Sequence, residues 1–579
     1  MISLEQLNGM AAPDFASALG SIFEHSPWVA ERVAALRPFA SGLALHRAMS
    51  DVVLRADEPL QLALIRAHPE LAGRAAQRND LTPASSKEQK GAGLSACTPS
   101  QLKSLQSLNS QYTGCFGFPF VLCVKGHTAD SVIAALAERV THDPRDERDV
   151  ALREICRIAF FRLAELICEP LGDAIIAMAD DLASFTDDTG ALTCTYLTPA
   201  HRAAAARIRD FMLAAGLLAH IDAVGNVVGL MEAAPGTSTK RLLTGSHYDT
   251  VIDAGKYDGR LGILLPIAVA GALRRAGAAL PYGLEIIAFS EEEGVRFKSP
   301  FLGSRAVAGC LDPSQLQSVD ASGTPLSEAI RASGQDVATI PAIARDPSQV
   351  AGFVEVHIEQ GPVLLDAALA VGVVTSIAGS TRTIVTVEGR SGHAGTVPMA
   401  LRHDALAAAA EMVLAVEQRC QEQPDLVGTV GKLEVPGGAV NVIPGRCEFS
   451  IDIRSGSNAV RDSAVKAVSA RIAAIADRRG VKVLERRVLQ SSSVPCDPAL
   501  QDAWGDSIER ITGRPALRLP SGAGHDAMIM ASLTQVGMLF VRCGNGGISH
   551  HPDETLSAAD AHIAARVFED FLLHYRVAS

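Results

Sequence analysis

Five side chains in the second half of the chain are of the types that bind divalent metal ions: His247, Asp258, Glu293, His357 and His550. Each stands at the end of a predicted strand or in a glycine-rich turn, and ligands collect at the carboxyl ends of strands in open α/β sheets. Imidazoles combined with carboxylates suit Zn²⁺, Mn²⁺ or Co²⁺. Because no thiolate is offered, a closed structural zinc site is disfavoured.

Asp258 decides how many ions this set can hold. If its carboxylate bridges two ions, each ion receives three protein ligands and keeps room for a shared water, which is the open arrangement of a hydrolase. Asp249, two residues after His247, is placed to accept a hydrogen bond from that imidazole. The three glutamates 291–293 would by themselves form a solvated turn. They directly follow the apolar segment 284–289, however, which directs them into a cleft.

A second group of chemically capable residues lies in the first half of the chain. His68 is followed by Pro69, which ends an amphipathic helical pattern and leaves the imidazole at the helix end. Further along, Ser85 and Glu88 are three residues apart, so they share one face of a predicted helix, and Gln89 is adjacent.

An arginine and two aromatic residues complete this second group. Phe118 and Phe120 belong to an aromatic cluster in a chain that is only 4% aromatic. Arg162 falls on the apolar stripe of its predicted helix, where an unpaired charge is costly. Two interpretations are open: Arg162 binds an anion within a site, or it reaches the surface or pairs with Glu165 or Glu138.

The hydrophobic pattern of the first part of the chain predicts an all-α domain. Residues 1–168 carry apolar side chains at three- and four-residue spacing. The segment 118–124 is the one short β-like run, and Pro119 weakens it. A joint at residues 169–172 separates this region from the rest.

The pattern after the joint predicts two further domains. Over residues 173–379 and 497–579, short apolar runs alternate with alanine-rich helical stretches, as in an α/β domain with a buried mixed sheet. Residues 380–496 alternate apolar and polar side chains, which predicts an inserted α+β domain with an antiparallel sheet. The chain is therefore expected to be multidomain.

Composition and charge exclude several classes of protein. The 579 residues are 48% apolar with a formal net charge of −12 and no long basic run, so neither nucleic acid nor an anionic membrane is an expected partner. No apolar stretch approaches the ~20 residues that cross a bilayer, and the N-terminus lacks a signal-peptide pattern. Eleven cysteines without a CxxC pair predict reduced thiols and a cytoplasmic location.

The second half carries eight motifs in the order of one known family: GSHYDTV, KYDGRLG, SEEEGVRF, HIEQGP, SGHAGTVPM, GGAVNVIPG, SGAGHDA and GISHHPDE. Residues from about 172 to 579 resemble the di-metal amidohydrolases of the aminoacylase and carboxypeptidase type. Within them they are most similar to the branch of allantoate amidohydrolase, N-carbamoyl-L-amino-acid hydrolase and β-ureidopropionase. The resemblance implies that the inserted domain is a lid through which two chains form a homodimer.

The resemblance also implies which residues bind the metal ions and perform the reaction. His247, Asp258 and His357 are the implied ligands of one ion, and Asp258, Glu293 and His550 are those of the other. Glu292 is expected to take a proton from a water activated by the two cations as that water attacks a ureido carbonyl. His393, reaching in from the neighbouring subunit, is expected to stabilise the oxyanion.

Contacts to the substrate and to the ligands follow from the same resemblance. Gln360, Asn441 and Arg454 are expected to contact the substrate, and a planar guanidinium suits its carboxylate. From the strand pattern alone, Arg454 would instead form an exposed salt bridge. His525 and Asp526 are expected to support the metal ligands without binding the ions.

The first half resembles a different enzyme. The motifs FEHSPWVAER, LIRAHPELAGR, LTPASSKEQKGAGL, FGFPFVLCV and ICRIAFFRL look like those of OHCU (2-oxo-4-hydroxy-4-carboxy-5-ureidoimidazoline) decarboxylase. That enzyme is all-α, needs no cofactor and yields (S)-allantoin in urate breakdown. The resemblance implies His68 and Glu88 as proton-handling groups. The implied substrate contacts are Pro69, Ser85, Gln89, the backbone region of Phe118 and Phe120, and Arg162.

Together, the two resemblances predict a bifunctional enzyme of urate catabolism acting on small ureides. The decarboxylase makes allantoin, an allantoinase opens it, and allantoate is the next substrate. The C-terminal half is therefore expected to convert allantoate to ureidoglycine, ammonia and CO₂. Two alternatives stay open: the C-terminal half is an N-carbamoyl-L-amino-acid hydrolase or β-ureidopropionase, and the N-terminal half is a non-catalytic helical module. A dipeptidase is disfavoured because HIEQGP and GISHHPDE fit the ureide branch better.

Overall fold

The computed structural model describes residues 1–72 and 81–577; Gly73 and Arg74, which end the LIRAHPELAGR motif, lie outside this part. Within it, the N-terminal region (residues 1–168) is helical, which confirms the prediction for this half. Its helices are α1 (Leu4–Gly9), α2 (Ala12–Leu19), α3 (Trp28–Val33), α4 (Gly42–Leu54), α5 (Glu58–Ala67), α6 (Pro83–Gly91), α7 (Pro99–Phe116), α8 (Ala129–Arg139) and α9 (Pro144–Leu166). Two short strands, β1 (Ile2–Ser3) and β2 (Ile167–Cys168), pair in parallel.

Local sequence explains where these helices begin and end. In α7, the Thr98 hydroxyl accepts a hydrogen bond from the Gln101 N–H while the Gln101 side chain accepts one from the Thr98 N–H. This reciprocal cap satisfies two donors of the first turn. The helix ends at Gly117, whose φ of 72° is left-handed and suits glycine. Helix α9 starts with a proline after the capping Asp143.

The β-like segment 118–124 forms no strand. Side chains satisfy its backbone instead: the Cys123 N–H donates to the Glu154 carboxylate at 2.8 Å, and the Val121 carbonyl accepts from Arg139 at 2.9 Å. The proline at its second position has no N–H to give to a ladder. The segment is therefore a largely buried loop.

The remainder of the chain contains the other strands and helices. The strands are β3 (Leu218–Ile221), β4 (Val227–Met231), β5 (Arg241–His247), β6 (Gly283–Phe289), β7 (Val350–Ile358), β8 (Val371–Ile377), β9 (Gly379–Glu388), β10 (Gly392–His393), β11 (Leu426–Thr429), β12 (Leu433–Glu434), β13 (Val442–Ile443), β14 (Arg446–Ser455), β15 (Lys482–Gln490), β16 (Val494–Pro495), β17 (Arg518–Ser521) and β18 (Val536–Val541). The helices are α10 (Leu171–Leu182), α11 (Pro199–Ala214), α12 (Leu261–Arg275), α13 (Leu302–Val307), α14 (Leu326–Ala332), α15 (Val363–Asp366), α16 (Ala405–Gln421), α17 (Asn458–Arg479), α18 (Pro498–Thr512), α19 (Asp526–Met530) and α20 (Ala558–His574).

A nine-stranded mixed sheet forms the centre of this part, in the order β16-β8-β18-β7-β5-β6-β4-β3, with β17 beside β8. The four neighbours β18, β7, β5 and β6 run parallel to one another. Every residue of β6 is buried, as expected for a strand whose two faces are both covered. The carboxyl ends of the four strands consequently lie along one edge of the sheet.

A second sheet, in the order β11-β14-β9-β15 with β12 beside β14, is antiparallel. On β9, Val385 and Val387 are fully buried, whereas Ile384 between β14 and β15 is only half-buried. Helices α16 and α17 cover the apolar face and complete a separate core. The antiparallel sheet predicted from the alternating pattern is confirmed. Strands β10 and β13 form a short antiparallel pair of their own.

The N-terminal region packs against the nine-stranded-sheet part through a shared apolar core. Buried residues of both form one continuous cluster, and the Phe160 ring of α9 lies 6.1 Å from the Phe211 ring of α11 between centroids. Asp181 on α10 accepts a hydrogen bond from Arg47 on α4 at 3.0 Å. The joint predicted at 169–172 falls where β2 ends and α10 begins.

Two further features concern membrane-spanning helices and disulfides. Within residues 1–72 and 81–577, none of the helices combines the length and the apolar composition needed to cross a bilayer. All eleven cysteines lie in the described part, and none of them is paired in a disulfide.

Candidate active sites

The edge of the nine-stranded sheet brings the five candidate metal ligands together. His247 is the last residue of β5, His357 lies near the end of β7, and Glu293 follows β6. Asp258 precedes α12, and His550 lies in the loop between β18 and α20. All five positions therefore lie at carboxyl ends of strands or in the loops that follow them.

The Asp258 carboxylate lies between two groups of ligands. Its Oδ1 is 3.3 Å from His357 Nε2 and 3.9 Å from His247 Nε2, whereas its Oδ2 is 2.9 Å from His550 Nε2. The same His550 nitrogen is 3.4 Å from Glu293 Oε1. In each triplet, His247–Asp258–His357 and Asp258–Glu293–His550, the ligand atoms lie within 4.8 Å of one another. One carboxylate oxygen thus faces each triplet, which fits two divalent ions sharing Asp258.

Hydrogen bonds orient these ligands. The Nδ1 atom of His247 bonds to the main-chain carbonyl of Asp249 at 3.0 Å, whereas the nearest Asp249 carboxylate oxygen is 3.7 Å away. The expectation that Asp249 accepts from this imidazole therefore holds for its carbonyl. Its carboxylate instead accepts the N–H groups of Glu292 and Glu293 at 3.1 and 3.2 Å. Asp249 thus ties one ligand strand to the turn that carries the catalytic candidate.

The site holds an excess of buried carboxylates. Burial raises the pKa of Glu292 well above its ordinary range, and nearby carboxylates add to this effect. Burial likewise raises the pKa of Glu293 to about 7. At Asp258, burial is outweighed by the hydrogen bond from His550 and by the neighbouring imidazoles, which lower its pKa. Buried anions need compensating charge, so divalent cations fit this donor set electrostatically as well as geometrically.

A carboxylate outside the predicted ligand set, that of Glu554, holds the main chain at Asp258. Glu554, the last residue of GISHHPDE, is 2% exposed and its Oε1 accepts the N–H groups of Tyr257 and Asp258 at 2.7 and 3.1 Å. It therefore connects the loop carrying His550 to the loop carrying Asp258. Glu554 belongs to a motif recognised in the sequence, but the sequence of a polar turn does not indicate that one of its glutamates is buried.

His525 and Asp526 are both buried, and His525 contacts one of the candidate ligands. The His525 ring packs edge-on against His357 with 4.5 Å between centroids, and its Nε2 bonds to the Ser521 hydroxyl at 2.7 Å. Asp526 is fully buried at the start of α19. Next to it, the Ala527 N–H donates to Glu355 at 2.9 Å.

A cleft of about 1030 Å³ separates the two sheets and is lined by both Gln360 and Arg454. The Gln360 amide donates to both Asp258 oxygens at 3.2 Å. Arg454 donates to the Gly522 carbonyl at 2.8 Å and to the Asp452 carboxylate at 3.0 Å. The arginine is therefore held in the cleft, where its side chain is one-third exposed, and it combines the predicted salt bridge with a position facing the cleft.

The structure places His393 and Asn441 together, but apart from the metal triplets. His393 on β10 pairs with Val442 on β13, and the Ala394 N–H donates to the Asn441 carbonyl at 2.9 Å. Both side chains are exposed. Within the described part of this one chain, no hydrogen bond or ion pair joins either residue to a metal-ligating side chain.

In the N-terminal region, three helices and a loop assemble a second polar site. Arg162 of α9 donates to both oxygens of Glu88 on α6 at 2.8 and 3.0 Å, and to Glu24 at 2.9 Å. Glu165, one of the expected surface partners of Arg162, pairs with Lys87 instead. The Arg162 side chain, which is 8% exposed, thus belongs to a largely buried polar cluster. Neither surface pairing considered from the sequence is formed.

Glu24 is the member of this site that sequence reasoning missed. It is 3% exposed and accepts hydrogen bonds from the Thr82 and Ser85 hydroxyls at 2.6 and 3.2 Å. It belongs to the FEHSPWVAER motif, but its distance along the chain from Ser85 and Arg162 hides the contact. Only packing of the loop after α2 against α6 and α9 brings the residues together.

His68 borders the same cluster. It is 7% exposed, its Nδ1 bonds to the Leu64 carbonyl at 3.0 Å, and burial lowers its pKa to about 4. Glu24 and Arg162 are close enough to act on it electrostatically. The imidazole is therefore neutral near pH 7, when it can donate or accept a proton in a hydrogen bond.

The remaining predicted contacts differ in exposure. Pro69 is half-buried beside His68, and the buried Gln89 side chain accepts the Ala72 N–H at 3.0 Å. Phe118 and Phe120 are buried and pack around the Tyr112 ring. Their side chains therefore belong to the core, so that any substrate contact from this segment comes from its backbone.

Comparisons with known proteins agree with this division. A family model described as OHCU decarboxylase matches residues 8–164, and one described as peptidase family M20/M25/M40 matches residues 216–574. An allantoate deiminase of Arabidopsis thaliana is 41% identical over 432 residues, covering 69% of this chain and 82% of that protein. An N-carbamoyl-L-amino acid amidohydrolase of Geobacillus stearothermophilus is 39% identical, covering 66% of this chain and 92% of its own length.

A solved structure is similar to this protein over about two thirds of the chain. The crystal structure of an amidase of the hydantoinase/carbamoylase family from Burkholderia multivorans superposes with a TM-score of 0.65 at 30% identity, covering 69% of this chain and 97% of that one. The chain therefore belongs to peptidase family M20/M25/M40 and carries an OHCU decarboxylase domain fused ahead of it.

Proposed function

We propose that the C-terminal part hydrolyses allantoate to ureidoglycine, ammonia and CO₂. The observation that carries this proposal is the position of Asp258, whose two oxygens face two separate ligand triplets. Such a donor set suits a pair of hydrolytic metal ions. The similarity to an allantoate deiminase supports the substrate. Zn²⁺, Mn²⁺ and Co²⁺ all accept these ligands.

In this proposal the chain's own residues position the substrate and move the proton. The triplets His247–Asp258–His357 and Asp258–Glu293–His550 would hold divalent ions, which would supply Lewis acidity and lower the pKa of a water molecule. The Glu292 carboxylate takes a proton from the attacking water and passes it to the departing nitrogen. The C–N bond of a terminal ureido group breaks, ammonia leaves, and the remaining carbamate loses CO₂. Gln360, Asn441 and Arg454 orient the substrate, with Arg454 directed at its carboxylate.

A homodimer completes this site. We propose that residues 380–496 act as a lid and dimerisation domain, and that His393 of one subunit donates to the oxyanion formed in the other. Exposed apolar side chains support a contact surface there: Met399 and Leu401 are 77% and 68% exposed, and Val440 is fully exposed. His393 is exposed and, among the residues that the structure describes, has no hydrogen bond or ion pair to the metal triplets of its own chain, so in this proposal it acts on the site of a second copy.

We propose that residues 1–168 decarboxylate OHCU to (S)-allantoin without a cofactor. The bond between the ring carbon and the carboxylate breaks, CO₂ leaves, and the electron pair stays in the imidazoline and carbonyl system of the substrate. Arg162, Ser85 and Gln89 hold the substrate, while His68 and Glu88 deliver one proton to one face of the ring carbon. The carboxylate-arginine cluster of the site supports this assignment.

The fusion itself favours allantoate over other carbamoyl substrates. The product of the decarboxylase becomes allantoate after one ring-opening step, which another enzyme must catalyse. Hydrolysis of N-carbamoyl-L-amino acids is the second candidate, supported by the similarity to the Geobacillus stearothermophilus protein. Both substrates carry a carboxylate beside a ureido group, so Arg454 suits either.

One set of assays tests these proposals. Metal-reconstituted full-length protein is incubated separately with allantoate, with N-carbamoyl-L-amino acids and with freshly generated OHCU, following ammonia and chiral allantoin. We expect ammonia from allantoate at a kcat/KM well above that for the carbamoyl amino acids, and excess (S)-allantoin from OHCU. The reverse preference would replace allantoate as the substrate. Racemic allantoin formed at the spontaneous rate would mean that the helical domain has no catalytic role.

A further inference from the structure

Every nitrogen of the Arg162 guanidinium donates hydrogen bonds within the protein. Its guanidinium carries five N–H donors. Nε and Nη2 donate to the two oxygens of Glu88, and Nη1 donates to Glu24 and, at 3.3 Å, to the carbonyls of Ser21 and Ile22. Nη2 also reaches the Ser85 hydroxyl at 3.4 Å. A substrate carboxylate therefore cannot bind this arginine bidentately unless a present partner leaves.

The two carboxylate partners differ in how firmly they are held. Glu24 is 3% exposed and accepts from Thr82, Ser85 and Arg162. The Glu88 side chain is 30% exposed, and within the described residues its carboxylate accepts hydrogen bonds from Arg162 alone. Moving the Glu24 carboxylate away from Arg162 would leave a buried anion that has lost its cation and part of its hydrogen bonds. Glu88 can turn toward water at a smaller cost, because solvent already reaches it.

We propose that Glu24 is the permanent counterion of Arg162, and that the carboxylate of the decarboxylase substrate takes the place of Glu88 on the guanidinium. The inference rests on the proposed decarboxylation. It assigns Glu24, which contacts Arg162 and Ser85 rather than the reacting atoms, as a positioning residue. It also connects binding to chemistry, since Glu88 becomes available for proton handling only when a carboxylate has arrived.

Charge balance supports the exchange. Arg162, Glu24 and Glu88 together carry one positive and two negative charges. A substrate carboxylate added to this intact cluster would meet Glu88 at short range in a largely buried site, where like charges repel strongly. Displacement of Glu88 from the fork keeps two carboxylates on the guanidinium, as before, and moves the third toward the exposed side. A ligand that has the neutral cyclic ureide but no carboxylate would not compete with Glu88, so its affinity should not depend on this exchange.

Two ligands that differ only by a carboxylate distinguish competition between Glu88 and the ligand carboxylate from a purely structural role of Glu88. Isothermal titration of the full-length protein uses orotate, a cyclic ureide with a ring carboxylate, and uracil, the same ring without it. Because Glu88→Gln removes the competing charge, we expect this variant to bind orotate at least about fivefold more tightly than wild type. Uracil binding should change by less than about twofold. Arg162→Gln defines any orotate binding elsewhere, and Glu165→Gln is the matched control on the same helix.

Glu24→Gln should behave differently from Glu88→Gln. Without its permanent partner, Arg162 follows Glu88, so the KM for OHCU should rise about tenfold while kcat falls much less. In Glu88→Gln, kcat should collapse without a rise in KM. Thermal unfolding of both variants shows whether the domain is still folded, and orotate binding is compared only with uracil binding in the same variant.

The outcomes are distinguishable. The exchange is overturned if Glu88→Gln does not bind orotate, or binds it no more tightly than wild type does. It is also overturned if the KM for OHCU rises equally in Glu24→Gln and Glu88→Gln. Wild-type protein that forms no (S)-allantoin from OHCU overturns the proposed function instead, whatever the binding results. If wild type decarboxylates OHCU but Glu88→Gln gains no affinity for orotate, only the exchange is wrong.

Discussion

The Arg157 guanidinium on α9 donates two hydrogen bonds to the Asp210 carboxylate on α11, at 2.9 and 2.7 Å. This pair joins the decarboxylase domain to the hydrolase part, and both side chains are less than one-fifth exposed, at 17% and 11%. Five residues further along the same helix, Arg162 enters the decarboxylase site. One helix therefore carries both the domain contact and the arginine proposed to bind the substrate carboxylate.

The first prediction concerns this ion pair. Asp210→Asn removes the carboxylate that accepts two hydrogen bonds from Arg157 and leaves only the more distant Glu154 carboxylate, 3.9 Å away. This should destabilise the contact by about 1–3 kcal/mol. Differential scanning calorimetry should show one transition in wild type and a lower, broadened or split transition in the variant. Asp188→Asn, a change at an exposed aspartate of the same part, is the control. Identical traces for all three proteins would show that the pair does not join the domains.

The second prediction concerns Glu292. Glu292→Gln removes the proposed proton acceptor, so ammonia release from allantoate should fall about 10²–10⁴-fold. Metal content, measured by elemental analysis, should stay near the wild-type value because Glu292 is not one of the proposed ligands. Formation of (S)-allantoin by the other domain serves as an internal control for folding. Ammonia release at the wild-type rate would remove Glu292 from the mechanism.

The third prediction concerns Glu554, which accepts the Asp258 N–H. Glu554→Gln weakens the support of the shared ligand, so metal affinity should fall about 10–100-fold, as for other residues that orient metal ligands. Competition with a chelating dye measures this directly, without an activity assay. Asp553→Asn changes the neighbouring, 67% exposed side chain and should leave affinity unaltered. Equal affinities in both variants would reduce Glu554 to a structural role.

The fourth prediction tests His393 across the dimer. His393→Ala and Glu292→Gln chains should each be inactive on allantoate alone. Because each site would combine Glu292 of one chain with His393 of the other, random mixing of the two variants should restore about a quarter of wild-type activity. This value follows from heterodimers forming half of the population, each with one intact site. No recovery after verified subunit exchange would contradict a contribution from the partner subunit.

The fifth prediction concerns pH. Burial lowers the pKa of His68 from an ordinary value of 6.5 to about 4, so between these values the unfolded chain binds a proton that the native chain does not. Stability contributed by the neutral imidazole is therefore present above pH 6.5 and is lost as pH falls toward 4, by about 1.4 kcal/mol per pH unit. Between pH 7.5 and 5, the Tm of His68→Gln should fall less than that of wild type.

A control is available for the pH experiment. The exposed His551 lies outside the decarboxylase domain, and His551→Gln should follow the wild-type Tm curve. Parallel curves for wild type and His68→Gln would mean that burial of His68 does not contribute to acid destabilisation.

Much of the candidate metal site was predictable because few types of side chain bind divalent ions. Imidazoles and carboxylates after apolar runs can be recognised in the sequence, and the carboxyl ends of parallel strands must share an edge. The order of β5, β6 and β7 along that edge was not predictable, since the sheet order depends on which strands pair. The role of Asp249 also needed coordinates, because its carbonyl and its carboxylate make different contacts.

The polar site of the decarboxylase domain was harder to predict from the sequence. Helical periodicity placed Ser85 and Glu88 on one face and left Arg162 as an unexplained charge on an apolar stripe. Periodicity describes one helix at a time, so it cannot report that Glu24 and Glu88 are the partners of that charge. The segment 118–124 has a strand-like pattern that Pro119 weakens, and only the structure shows that side chains from other helices satisfy its backbone.

Residue types, their spacing and their motifs determined the class of each domain, the candidate ligand set around Asp258 and the division into a helical and an α/β part. These are local properties, set by hydrophobic periodicity and by which side chains can bind metal ions or protons. Tertiary structure alone decided which oxygen of Asp258 faces which triplet, that Glu24 and Glu554 are buried, and that Arg157 joins two domains. Such contacts depend on packing between distant segments, whose geometry no local pattern contains.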